Sequence, residues 1–276
     1  MEHHEDAPSL KECLHLLATN RPLLMLFLGN VFFVIIKVSE QASFYFAYDA
    51  LFNAKYNGFL DIAKAPGSFL AGIFVPIIIE RLGRKADSKK FYQACCVMGI
   101  VLNGLFALCT YNGIMNKGAG QSVSLLTGLM VIVFSAVVTF PLEFKNLMQK
   151  EMEAETVDYV EWKTGKRVEG TMLSIMSFTG KLEGTLSSFI CLQVLARTGY
   201  VEHTTDVSTL QNHSTLLGLF LMTTVFPMVG YALMLIPMHF YNITGDSHRR
   251  MIKDIMARRA QAGEAAAQEA VAAEAK

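Results

Sequence analysis

The stretch Val157–Gly170 reads VDYVEWKTGKRVEG and carries three carboxylates, three basic side chains and the only tryptophan of the chain. It separates two apolar runs, about 122–145 and 170–197. A bilayer core about 30 Å thick takes roughly 20 residues of helix, so either run is long enough to cross one. Four more runs of that kind lie at about 22–46, 58–80, 91–112 and 213–240. Hydrophobic residues make up 52% of the chain and charged residues 17%, with no net charge, a balance that belongs to membrane proteins. The expected fold is therefore an all-α membrane protein: a segment 1–21, a bundle of six transmembrane helices over 22–240, and a tail 241–276. Asn20-Arg21-Pro22 opens the first run with a capping residue and a proline in the first turn.

The same composition excludes other classes. A chain without basic surplus is a poor ligand for nucleic acid. The five cysteines and seven histidines show no ligand spacing, so no metal site and no cofactor are expected, and no nucleophile–base or phosphate-loop pattern points to an enzyme.

Basic residues in the connections set the orientation. With the N-terminus inside, eighteen fall on the inner side, Lys145, Lys150, Lys163, Lys166 and Arg167 among them. The outer loops hold only Lys55, Lys117 and Arg197. Both termini are thus expected on the cytoplasmic side of the plasma membrane, and Val157–Gly170 becomes an inner connection between the fourth and fifth spans. Residues 247–260 (SHRRMIKDIMARRA) read as a basic amphipathic helix along the inner surface, drawn to anionic lipid. Residues 261–276, rich in Ala and Glu, read as a fraying helix or disorder.

Three lysines fall inside spans: Lys37, Lys64 and Lys181. Charge at that depth costs at least about 2.5–3.5 kcal/mol and so faces a cavity or a partner. Lys181 lies eleven residues into the fifth run, about 16 Å deep at 1.5 Å per residue. Ser174, Ser177, Thr185 and Ser188 recur around it at helical spacing, while Glu183 points about 200° away. A water-filled translocation path suits that stripe; the alternative is a structural lysine paired with a carboxylate on a neighbouring helix. Lys37 and Glu40 stand i, i+3 and can pair on one face, either as a structural ion pair or as a ligand contact. Asp61 and Lys64 share that spacing near the outer end of their run and read as an interface pair. Glu143, near the inner end of the fourth run, is expected to face headgroups or an inner gate. The acids Glu40, Asp61, Glu143 and Glu183 lie on four different runs, so no carboxylate cluster is expected.

In detail, Asp158, Tyr159, Glu161, Trp162, Thr164, Gly165, Lys166, Arg167, Glu169 and Gly170 resemble the Asp-x-x-Glu…Thr-Gly-Lys-Arg-x-Glu-Gly pattern of the glycoside–pentoside–hexuronide:cation symporters. These form the melibiose permease-like branch of the major facilitator superfamily, and the pattern stands before their eleventh span. Ser9-Leu-Lys-Glu-Cys-Leu, Glu80-Arg-Leu-Gly-Arg-Lys85 and the tail from Tyr241-Asn-Ile-Thr to Arg258-Arg259 are similar to other inner segments of the same family. The resemblance implies the C-terminal half of a twelve-span fold with a 3+3 inverted repeat, and a sugar or glycoside carried with sodium or a proton by alternating access. It implies that Lys181 lies near the sugar and the coupling cation, with Ser177 beside it and Ser174 on the same stripe. Asp158, Glu161, Lys166, Arg167 and Glu169 become an inner gating loop. The family's cation carboxylates and main sugar contacts belong to the half this chain lacks, so a second six-helix half or second subunit is an expected partner, besides sugar and lipid. A fragment, a split gene product and a subunit all fit. The rival expectation is a non-transporting remnant, scaffold or regulator.

Overall fold

The computed structural model describes residues 10–274 except 54, 82–86, 118–119, 166–167 and 203–209, and every described regular element is a helix. A short α1 (Leu10–Thr19) leads into α2 (Arg21–Tyr45), and α3 (Lys55–Arg81) and α4 (Ser88–Met115) follow. Then come α5 (Leu125–Thr164), α6 (Glu169–Thr198), α7 (His213–Phe240) and α8 (Gly245–Glu274). The starts are written in the sequence. Asn20, Ser124 and Asn212 each accept a backbone N–H three residues on, which satisfies donors that a helix N-terminus leaves open. Gly165 and Gly199 end α5 and α6 at φ of 73° and 77°, the left-handed cap that glycine adopts without strain. The C-terminal end of α2 differs, widening into a π-helical turn at Phe46–Ala50 before Phe52 turns the chain at φ 54°.

α2 with its π turn, α4, α5 and α7 are long and apolar enough to cross a membrane. These four also form the centre of the bundle. α2 packs on α7, α7 on α4, α4 on α5, and α5 closes back on α2. α6 lies against α2, and α3 against α5, as flanking helices. Close approach within the ring depends on small residues, as in other membrane bundles. A Cβ on Gly99 of α4 would come within 2.5 Å of the Tyr231 ring on α7, and one on Gly230 of α7 within 2.5 Å of Ile36 on α2. One apolar core, with Phe33, Tyr92, Met148 and Tyr231, fills the half of the ring nearer α8; a second, with Phe46, Phe106, Val131 and Leu219, fills the other half.

One expectation needs correction. The fourth run does not stop at 145: α5 continues to Thr164, so most of Val157–Gly170 is helix rather than loop. The Ala/Glu tail, read as a fraying helix or disorder, is helical through Glu274 as the end of α8. α8 packs on the α5 extension and buries Met251 and Ile255.

Candidate functional site

The polar groups of the bundle fall into four places. In the first, α2 meets α6. Lys37 and Glu183 form an ion pair of 3.2 Å, with side chains 27% and 9% exposed. The pairing of Lys37 with Glu40 expected from their spacing is not made. α6 rests on α2, so its inward face presents Glu183 to Lys37 and Lys37 turns across the helix gap. Two residues along a helix rotate about 200°, so the same packing turns Lys181 outward. Lys181, Ser177 and Ser174 all lie on the exposed side of α6. Lys181 makes no ion pair among the described residues, and Ser174 donates to the carbonyl of Gly170 at 2.9 Å.

The second place was missed in the sequence. Lys145, counted there among inner basic residues, is fully buried. Its ammonium lies 3.7 Å from the centre of the Phe33 ring, whose other neighbour is the Lys37 ammonium at 5.6 Å. A ring face attracts a desolvated cation, and that contact holds Lys145 where no carboxylate touches it. Lys145 also donates to Gln149 Oε1 at 3.3 Å; Gln149 Nε2 donates to Asn30 Oδ1 at 2.7 Å and to Glu153 Oε1 at 3.1 Å. The i, i+4, i+8 register of Lys145, Gln149 and Glu153, with Asn30 in an apolar run, was the available signal.

Third, a cavity of about 170 Å³ opens between α2, α3 and α5, and Glu40, Lys64, Ser135 and Glu143 line it. Lys64 pairs with Asp61 at 3.6 Å and donates to Ser43 at 3.5 Å. Glu143 accepts from Ser68 at 3.0 Å and from Asn146 Nδ2 at 3.4 Å. Glu143, expected to face headgroups or an inner gate, lines this cavity, and so does Glu40 from a separate run.

The fourth place is the α5 extension and α8. Asp158 lies 2.9 Å from His248 Nε2. Arg259 grips Glu161, with its Nε at 3.1 Å, Trp162 donates its indole N–H to Asp254 at 3.0 Å, and Arg258 donates to the Trp162 carbonyl at 2.7 Å. Glu169 stands in the first turn of α6, where a carboxylate complements the helix dipole; Lys166 and Arg167 lie outside the described residues. Nearby, burial pushes the Glu155 carboxyl above its ordinary range, although Ser88 donates to it at 2.7 Å and Tyr241 at 3.3 Å. At the opposite end, burial lowers Lys117 to about 8 against the opposing pull of Asp49, and its ammonium sits 5.3 Å from the Phe52 ring.

A bundle of apolar helices that holds ion pairs and a polar cavity between them defines a polytopic membrane protein. The chain belongs to the MFS/sugar transport protein family, whose model matches residues 2–245. The family's members are transporters rather than enzymes. The chain is similar to the uncharacterized symporter YjmB of Bacillus subtilis (strain 168), 25% identical over 239 residues that cover 86% of this chain and 47% of the relative. It is 27% identical over 217 residues to a putative sulfoquinovose importer of Salmonella typhimurium, covering 77% of this chain and 40% of that one. A glucuronide carrier protein homolog of Escherichia coli (strain K12) is 24% identical over 250 residues, 90% of this chain and 50% of the relative. The chain spans about half the length of the curated relatives it matches.

Proposed function

We propose that the chain is one six-span half of a cation-coupled transporter that carries a hydroxylated organic anion of the sugar class by alternating access. The observation that carries this reading is the exposed stripe of Lys181, Ser177 and Ser174 on α6, with Lys181 lacking an ion-pair partner among the described residues while Lys37 and Lys64 each have a carboxylate. An unbalanced ammonium at that depth suits an anionic ligand, with the serine hydroxyls ready for its hydroxyl groups. Two relatives have names that denote a sulfonated and a carboxylated sugar.

Three further observations support the half-transporter. The main packing pairs survive exchange of α2, α3 and α4 with α5, α6 and α7: α2·α7 becomes α5·α4, α3·α5 becomes α6·α2, and α4·α7 returns itself. That exchange supports reading the helices as a 3+3 repeat. A charged stripe at bilayer depth demands a covering surface, and the chain covers half of its relatives. The eighteen-to-three distribution of basic residues supports a cytoplasmic location for both termini and for the α5–α8 contact. Asp158 and Glu161 then steady α8 against α5 at the inner gate, and sodium or a proton drives transport.

The test joins this chain to the first six spans of the glucuronide carrier homolog and measures uptake into vesicles. Lys181→Ala is expected to cut uptake of a glucuronide by about tenfold or more, the worth of one charge-assisted hydrogen bond. Uptake of a neutral glycoside falls less. Equal glucuronide uptake by variant and parent removes the assigned role.

A further inference from the structure

Two stripes of α6 face opposite ways, and one rotation of the helix sets both. The buried stripe runs from Met172 through Thr179, Glu183 and Ser187 to Leu195, about one residue per turn, and α6 lies with it against α2. The exposed side carries Ser174, Ser177 and Lys181. Glu183 stands about 200° round the helix from Lys181, so whatever fixes Glu183 also fixes where the ammonium points.

Polar bonds that set this rotation are few. Near the end of α6 the Thr198 carbonyl accepts from Thr215 at 3.1 Å and from Asn212 at 3.0 Å. Nearer its start, Met176 Sδ takes a long contact of 3.7 Å from Asn30. Between Met176 and Thr198, the Lys37–Glu183 pair at 3.2 Å is the one polar tie to another helix among the described residues. The backbone that it holds there is pliant. A Cβ on Gly180 or on Gly184 would meet nothing within 4 Å, so helix packing does not call for either glycine. Each costs the helix about 1 kcal/mol relative to alanine. Thr185 donates to the Lys181 carbonyl at 3.1 Å, and Ser187 and Ser188 donate to the Gly184 carbonyl at 3.0 and 2.9 Å. Bonds of this kind compete with the helix ladder and bend it.

We propose that Lys37 and Glu183 are positioning residues of the transport site: their ion pair clasps the pliant segment 180–188 to α2 and so aims Lys181 at an anionic substrate. The inference rests on reading Lys181 as the group that meets that anion, and it adds how the group is held. With the pair broken, α6 twists and bends more freely and the ammonium loses its fixed direction.

Two measurements test the clasp. Amide hydrogen exchange is followed in the full chain in lipid nanodiscs. Glu183→Gln is expected to speed exchange over residues 180–188 about tenfold while α4 and α7 keep their rates, because only the local opening becomes easier. The swapped pair, Lys37→Glu with Glu183→Lys, is expected to restore the parent rates. Uptake is then measured with the full chain paired with the first six spans of the glucuronide carrier homolog. Glu183→Gln is expected to raise the KM for a glucuronide about tenfold and that for a neutral glycoside less, as misplacement of one binding group does. In a Lys181→Ala background it should raise the glucuronide KM no further, since it acts through that ammonium. Unchanged exchange, an equal rise throughout the bundle, a swapped pair that restores nothing, or a full further loss in the Lys181→Ala background overturns the positioning role. Lys181→Ala that leaves glucuronide uptake unchanged overturns the reading of the site instead, and the exchange rates still decide whether the pair clasps α6.

Discussion

Glu183 sits against α2 in an ion pair with Lys37, so the two side chains act largely as a unit. Removing one member of a largely buried pair leaves a charge without compensation, at a cost of roughly 3 kcal/mol, whereas an apolar pair of similar volume is near neutral. Lys37→Met should therefore lower the thermal midpoint of the purified chain, and adding Glu183→Met should recover most of the loss. A double variant no better than the single one would show that the pair is not the source. Lys117 behaves as a pH-sensitive residue at the other end of the bundle. Its folded-state pKa, about 8, lies below its ordinary value of 10.5, because burial disfavours the charged form. The unfolded chain binds the proton more tightly, so the penalty is fully present below about pH 8 and is relieved as pH rises towards 10.5. Stability measured from pH 7.5 to 10 should rise more in the parent chain than in Lys117→Met, and parallel curves would contradict the burial. At this scale the sequence exposed Lys37, Lys181 and Glu183 as charges within spans, but not their partners. Lys37 and Glu40 share a helix, yet the cross-helix geometry chose Glu183, which no spacing along one chain can show.

Among the elements, α7 is the one whose sequence leaves least freedom. Gly230 lets α7 approach α2 until its backbone touches Ile36. Gly230→Leu forces the two apart and should cost about 1–3 kcal/mol, as overpacking does. Ile36→Ala in the same chain should return part of that; no recovery would place the strain elsewhere. The α5–α8 contact has its own probe, since Trp162 is the only indole and donates to Asp254. Deleting residues 245–276 should expose Trp162 and move its emission to longer wavelength, and an unchanged spectrum would mean that α8 does not cover it in solution. The start of α2 was legible because capping residues act locally: Asn20 marks it in the sequence and caps it in the structure, as Ser124, Gly165 and Gly199 cap α5 and α6. The overrun of α5 was not legible. Residues 146–164 are polar, and a search for apolar runs stops where hydropathy falls although the hydrogen-bonded helix continues.

For the whole molecule, the arrangement and the composition carry the same message. The four helices apolar enough to stand alone in a membrane form the ring, and α6, the helix that carries Lys181, Ser177 and Ser174, flanks it. The shared wall of Glu40 and Glu143 depends on which helices become neighbours, a long-range property that separate runs could not reveal. We propose that a second six-span half covers the flanking helices. The most direct test is uptake of a labelled glucuronide into vesicles that hold this chain alone, the first half of the glucuronide carrier homolog alone, or both. The account predicts uptake above background only with both. Equal uptake by this chain alone would contradict it.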